Sequence, residues 1–343
     1  MFNKQNKVSI IIFLIISITS LYGQKVSNAG TTAANFLEVP VGASAVGIGG
    51  AFVSIANDAS ALFWNSAGIA NLDRNELILN HIDWIGGTKH DFAGIVINLQ
   101  NYGNLGISFT SLSMDDMIVR TVEKPNGTGE LFNAHDISMG ITYSRALTDR
   151  FSIGLTAKYI QQSIWHMNAT AFAIDIGTLF KTDLLGGLVI GASLSNFGTP
   201  MTLQGRDARY FIRVDDSKLG SNESIPTNIE MDTWELPLVF RIGVSTNIYQ
   251  SPTNSFLIAV DAVHPNNNFP SVNIGSQFSF MDYFFLRIGY NELFLQDAEG
   301  GLTFGVGLNS KMLFSEAIAS FDYAYRNFGR LENIHVFSLN IKY

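Results

Sequence analysis

The 343 residues carry a formal charge of −8, with 21 Lys and Arg against 29 Asp and Glu, so a basic footprint for nucleic acid is absent. Zero cysteines exclude disulfides, thiolate metal sites, cysteine nucleophiles and a lipid-modified N-terminal Cys. Charged residues make up only 15% of the chain, below the roughly 25% usual for soluble domains. The length would ordinarily suggest two domains, but a barrel can absorb it as one unit.

Residues 1–23 read as a signal peptide. Lys4 and Lys7 form a positive start, and Val8 to Ile18 form an apolar core. That core is too short to cross a bilayer as a helix, which needs about twenty residues. Gly23 is the small residue before a mature start at Gln24, and loss of both lysines takes the formal charge to −10. No later stretch approaches eighteen uninterrupted apolar residues, so the chain reads as exported and not as a helical membrane protein. Gln24 to Leu37 is small and polar, and is expected as a lead-in on the periplasmic side.

Gly42 to Ala70 is different in kind. It holds five glycines and eight alanines, no Lys, Arg or Glu, and only Asn57, Asp58 and Asn65 as strongly polar side chains. Such a composition suits backbone that passes close to other backbone. A mild helical pattern runs through Ala59, Leu62, Phe63 and Ala70.

From Glu76 onward the period is two. Phe151, Ile153, Leu155, Ala157 and Tyr159 alternate with Ser152, Gly154, Thr156 and Lys158, and Leu302 to Asn309 behaves likewise. Fourteen strands are expected, over 76–84, 90–99, 104–112, 135–145, 151–162, 169–181, 187–197, 235–248, 254–263, 271–281, 284–293, 301–310, 317–325 and 333–343. The even gaps between them are short, among them Gln100 to Gly103, Asp282-Tyr283 and Lys311 to Glu316. The long gaps, Ser113 to Ala134 and Gly198 to Trp234, are odd. Short turns on one side and long loops on the other mark an outer-membrane barrel of even strand number.

A soluble sandwich also alternates, but two features weigh against it. The polar face is Gly, Ser, Thr and Asn rather than charge, and Trp84, Trp165 and Trp234 fall in or beside odd gaps, where a membrane-interface girdle belongs. The chain also ends on an alternating strand with a terminal aromatic, Phe337 to Tyr343. In hydrocarbon a sheet must close on itself. Fourteen strands enclose more space than their own side chains fill. Glycines on the inner face (Gly154, Gly177, Gly191, Gly275, Gly305) widen the gap, and Gly42 to Ala70 is the expected hatch. The predicted fold is therefore an all-β transmembrane antiparallel barrel of about fourteen strands, with a small N-terminal hatch in its lumen. Its parts are a signal peptide (1–23), a lead-in and hatch (24–75) and a barrel (76–343).

Chemical motifs are sparse. Gly47-Ile-Gly-Gly50 fails as a dinucleotide fingerprint, because Phe52 stands where the third glycine belongs and no strand–helix unit surrounds it. The six histidines are scattered, no pair has a metal-motif spacing, and Asp115-Asp116 and Asp215-Asp216 read as solvated loop charge, so no metal is expected. No nucleophile elbow occurs, and neither an enzyme nor a cofactor is expected. Lys158, Asp175, Arg241, Asp261, Arg287 and Asp322 fall on inner faces and are expected to form a neutralised lumen network, with a substrate or ion path as the sharper reading. Asn57, Asp58 and Asn65 are its expected hatch partners, through Arg241 or Arg287.

Pro40 to Ala70 resembles the PorV/PorQ family, relatives of the FadL-type outer-membrane barrels. The carrying residues are Gly42, Gly47, Gly49, Gly50, Asp58, Trp64, Asn65 and Gly68. Ser44, Ile48, Asn57 and Ser66 stand where that pattern has Arg, Met, Asp and Pro. The resemblance implies a fourteen-stranded barrel with a lumen hatch in a Gram-negative outer membrane. It also implies one of two functions. PorV-like members are type IX secretion accessories that bind exported cargo or partner subunits, and FadL-type relatives move hydrophobic small molecules through a lateral opening in the wall. The expected partners are thus outer-membrane lipid with a protein partner bound by the long loops, or a hydrophobic ligand; a purely structural barrel is a third reading.

Overall fold

The computed structural model describes residues 27–213, 217, 225–295, 298–310 and 317–343. The signal peptide, the gap Lys311 to Glu316 and Asp215-Asp216 lie outside the described residues.

Alternation sets the wall. Strand β5 (Phe151–Ile164) buries Ser152, Gly154 and Thr156 and turns Ile153 and Leu155 outward, so the apolar residues are the exposed ones. The same inversion runs round the sheet, where Ile141 is 62% and Phe172 65% exposed, while Thr142 and Thr156 share a buried hydrogen bond at 2.8 Å. A polar interior inside an apolar exterior is what a hydrocarbon surround demands.

Fourteen strands form this wall. They are β1 (Glu76–Asp83), β2 (Lys89–Asn98), β3 (Asn104–Ser113), β4 (Ala134–Ala146), β5, β6 (Met167–Lys181), β7 (Val189–Gly198), β8 (Val239–Gln250), β9 (Asn254–Pro265), β10 (Ser271–Phe280), β11 (Phe284–Leu293), β12 (Leu302–Asn309), β13 (Ile318–Asn327) and β14 (Asn333–Lys342). Each pairs antiparallel with its sequence neighbours, and β1 pairs with β14 from Glu76↔Lys342 to Asp83↔His335, which closes the barrel without a free edge. All fourteen expected strands are present, with ends displaced by a few residues.

The two long loops are odd connections as expected, but the asymmetry is partial, since the sixth connection (182–188) is longer than the first, ninth and thirteenth. The fifth connection is only Trp165-His166, because β5 and β6 run to 14 and 15 residues and project beyond their neighbours. The two long loops carry small ladders of their own, Met117–Ile118 with Leu131–Phe132 and Arg209–Ile212 with Ile225–Asn228. At β6–β7 the register slips between Ile174 and Ile176; beyond Ala173↔Gly198 the wall continues through Gln204–Gly205 on β6 and Met201–Thr202 on Thr233–Trp234.

From Ala34 to Leu72 the chain runs mostly buried inside the ring, while Ser27 to Thr31 are exposed. The lead-in does not stay at the short-turn end. Ala33 N donates to Glu235 O at 2.9 Å and Asn28 reaches Asn266, both at the long-loop end, because Phe36 and Leu37 find an apolar niche there against Ile160, Ala171 and Met201. The chain then descends through α1 (Ala43–Gly47) and α2 (Ala61–Trp64) to a 3-10 turn (Ser66–Asn71) at the foot of β1.

Backbone meets backbone where this hatch touches the wall. A Cβ on Gly275 would sit 2.0 Å from Ile48 O, and one on Gly289 2.2 Å from Gly49 N, closer than any side chain is tolerated. Gly275→Val or Gly289→Val should therefore unseat the hatch, at a cost of about 1–3 kcal/mol. Gly301→Ala, where a Cβ meets nothing within 4 Å, should be silent. Heat-modifiability on gels and Trp64 fluorescence check both.

Candidate functional site

Polar wall residues hold the hatch. Asn80 Oδ1 accepts from Gly42 N at 3.1 Å and Ser338 Oγ from Ala43 N at 2.7 Å, so the wall satisfies donors at the start of α1 that its own sequence leaves uncapped. Thr303 Oγ1 donates to Gly47 O at 3.1 Å, and Asp261 Oδ2 accepts from Val53 N at 2.8 Å. Asn65 donates to Val53 O and Thr178 O and accepts from Ala67 N, joining both halves of the hatch to β6. Trp64 Nε1 donates to Val41 O at 2.7 Å, with its ring edge-on to Phe52 and Phe63. Gly68 packs on Ala56 O, Gly47 on Gly305, and Gly50 on the Trp64 ring.

The expected pairing of Asn57, Asp58 and Asn65 with Arg241 or Arg287 is not what the structure shows. Asp58 accepts from Ser44 Oγ at 3.1 Å and from Ser60 N at 2.8 Å, closing its own turn. A short polar side chain next to free N–H groups is satisfied locally before it can reach the wall. Glu76 carries the wall contact instead. Its Oε2 accepts from Ala59 N at 2.9 Å, and its Oε1 meets Lys342 Nζ at 2.7 Å. One carboxylate at the β1–β14 seam thus serves barrel closure and hatch seating together.

The six lumen charges form separate units rather than one network. Lys158 pairs with Asp175 at 2.6 Å and donates to Asn196 Oδ1 at 2.9 Å, while Asp175 Oδ1 accepts from Asn196 N at 2.7 Å. Asn196 has φ 64 and lies where β7 slips register, so this trio pins the irregularity in the wall. Arg287 pairs with Asp322 at 2.5 Å and takes Gln277 Oε1 at 2.7 Å, beneath Gly47. Arg241 stands apart, 5.4 Å above the Trp64 ring, with Asp261 turned to the hatch backbone.

Above the hatch, at the long-loop end, opens a cavity of about 650 Å³. Glu38, Trp64, Arg241, Asn267, Asn291 and Phe328 are among its lining. Burial pushes the Glu38 carboxyl above its ordinary range, against the hydrogen bond from Asn267 and the charge of Arg241, which pull it down. Trp84 stacks on Phe328 at 5.5 Å and lines the same mouth rather than facing outward, because its parity on β1 is that of the inward Ile82. Trp165 and Trp234 are exposed at the long-loop end. Among the described residues no group of three or more His, Asp or Glu could hold a metal ion.

Asn104 Nδ2 also donates to Leu72 O at 2.8 Å and Asn273 Nδ2 to Gly50 O at 3.4 Å. Like Asn80 and Ser338, these are legible in the sequence only as polar residues on inward parity, and nothing in the chain says which hatch atom each takes. Glu76 and Lys342 were hidden by their places at strand ends, 266 residues apart in sequence.

The chain has a FadL-like outer-membrane barrel fold, of the kind built into Gram-negative outer membranes. A Pseudomonas aeruginosa FadL homologue superposes with TM-score 0.51 at 13% identity, covering 89% of this chain and 98% of that one. The Pseudomonas putida toluene transporter TodX gives 0.52 at 12%, covering 88% and 96%, and the Ralstonia pickettii toluene transporter TbuX 0.51 at 11%, covering 88% and 97%. Residues 15–140 match a family described as an uncharacterised protein family, UPF0164. No curated protein matches by sequence.

The shared carboxylate is separable by charge exchange. The double variant Glu76→Lys with Lys342→Glu can restore the seam pair but leaves Ala59 N without its acceptor. It should keep the heat resistance of the barrel while raising single-channel conductance and acrylamide quenching of Trp64. Unchanged quenching would remove Glu76 from the hatch.

Proposed function

We propose that this barrel is a non-enzymatic conduit for hydrophobic small molecules across the outer membrane. The arrangement of the lead-in carries the reading. Asn35, Glu38 and Val39 face the mouth cavity, whereas Phe36 and Leu37 turn to an apolar cluster with Ala169, Ala171 and Ala173 of β6 and Met201. These alanines lie directly before the register slip of β6–β7. A compound entering the mouth would replace Phe36 and Leu37 and arrive at an irregular stretch of this wall pinned by an ion pair. Straight descent is opposed by the seated hatch, whereas exit through the wall would leave the hatch's hydrogen bonds in place. The transport of toluene stated for two structural neighbours agrees with this reading.

Uptake of a labelled monoaromatic hydrocarbon by cells with and without the protein tests it. Uptake should fall in the deletion strain and rise several-fold above wild type with Phe36→Ala/Leu37→Ala, which removes the internal occupant. Equal uptake with and without the protein would overturn the reading.

A second reading has its own observation. The hairpin Arg209–Ile212 with Ile225–Asn228 presents Tyr210 and Phe211, each 60% exposed, on the longest loop. With the resemblance of Pro40 to Ala70 to the PorV/PorQ family, this supports a type IX secretion accessory whose loop binds cargo or a partner subunit. Deleting 205–230 should then abolish co-purification of that partner while sparing membrane insertion; retained binding would rule out the loop.

A further inference from the structure

Arg241 is the charged side chain whose environment the hatch does not account for. It is 8% exposed, on β8, and borders the mouth cavity. A guanidinium carries five donors, no acceptor and a permanent charge, and a buried charge normally has bonded partners. Here no hydrogen bond or ion pair to another described residue meets it, and its nearest defined contact is the Trp64 ring at 5.4 Å.

The carboxylates that act on Arg241 through space are Glu38, Asp261 and Asp175. Each has a bonded partner of its own, although Asp261 Oδ1 has none among the described residues. Asp175 is paired with Lys158, Asp261 Oδ2 accepts from Val53 N, and Glu38 accepts from Asn267 Nδ2 at 2.9 Å. The other arginine on the cavity, Arg326, is bound to Glu292 at 2.7 Å. Among the described residues lining the cavity, Arg241 is therefore the cation without a bonded carboxylate. Trp64 lies beneath the guanidinium, while Trp84 and Phe328 line the same cavity from the opposite wall, Phe328 with the Arg326 guanidinium 4.7 Å over its ring.

A plain hydrocarbon entering this cavity would strip water from Arg241 and return no acceptor. A site built to hydrogen-bond discriminates strongly against ligands that lack the matching group. We propose that Arg241 is the ligand anchor of the mouth cavity, and that the cavity takes ring-bearing organic acids, the carboxylate on the guanidinium and the ring in the space between Trp64 and the wall that carries Trp84. The planar fork of Arg matches a carboxylate in two parallel bonds. This rests on the reading that the lumen admits small molecules, and it narrows that reading from hydrocarbons to acids.

Calorimetric titration of the full barrel in mild detergent tests it, with naphthalene-1-carboxylate and its neutral methyl ester as probes. The acid should bind wild type at least tenfold more tightly than the ester, and Arg241→Met should abolish that preference. The comparison of acid with ester on wild type needs no variant to fold. Equal affinities for the two probes would overturn the role of Arg241 while leaving a hydrophobic conduit standing. Failure of both probes to bind would overturn the anchor and the conduit together.

Discussion

A backbone in hydrocarbon has no water to fall back on, and each unpaired N–H or C=O there costs several kcal/mol. Every other feature of this barrel follows from meeting that demand by closing β14 onto β1. Closure at fourteen strands leaves a lumen too wide for its own side chains. The small inward residues, Ser152, Gly154 and Thr156 on β5 for example, leave it wider still. The vacancy is then filled by chain rather than by side chains.

Filling a lumen with chain brings the same demand back in another form. The hatch has only short helices and turns, so many of its backbone groups have no partner of their own. Wall side chains supply them, and the wall glycines let the main chain come near enough for those bonds to form. The hatch and the wall are thus mutually specified, which explains why Gly42 to Ala70 is poor in charge while the wall opposite is rich in Asn, Ser and Thr. Glu76 concentrates this dependence at the seam, since it cannot hold Ala59 correctly unless β1 and β14 have met.

The charges take a different part. Lys158 and Asp175 stabilise a bend in the wall, and Arg287 and Asp322 neutralise one another under α1. Both are buried pairs whose worth lies in fixing geometry more than in net stability. Arg241 is not of that kind, and its difference from the others separates a charge that shapes the fold from one that borders the open cavity. The lead-in divides the upper lumen in the same spirit, with one face toward the cavity and the other toward the alanines of β6.

Strand number, the inside-out distribution of apolar residues and the presence of a hatch were legible in the chain, because each is a local pattern. Period two marks a strand wherever it falls, and the glycine- and alanine-rich run of residues 42–70 announces close backbone contact without reference to anything else. The two-residue turn at Trp165-His166 was missed because strand length depends on neighbours. Inward parity alone marked Lys158, Asp175, Arg241, Asp261, Arg287 and Asp322 as lumen residues, yet it could not say that four of them pair, or that Asp58 turns to Ser44 and Ser60. Those are matters of distance between segments up to hundreds of residues apart, and only closure of the barrel brings Glu76 to Lys342 or Ala43 to Ser338. Periodicity, loop lengths and the glycine- and alanine-rich composition of residues 42–70 together marked this protein as a plugged barrel; the tertiary structure decided which atoms hold the plug and left Arg241 facing the cavity, because partners across a lumen exist only once the ring has closed.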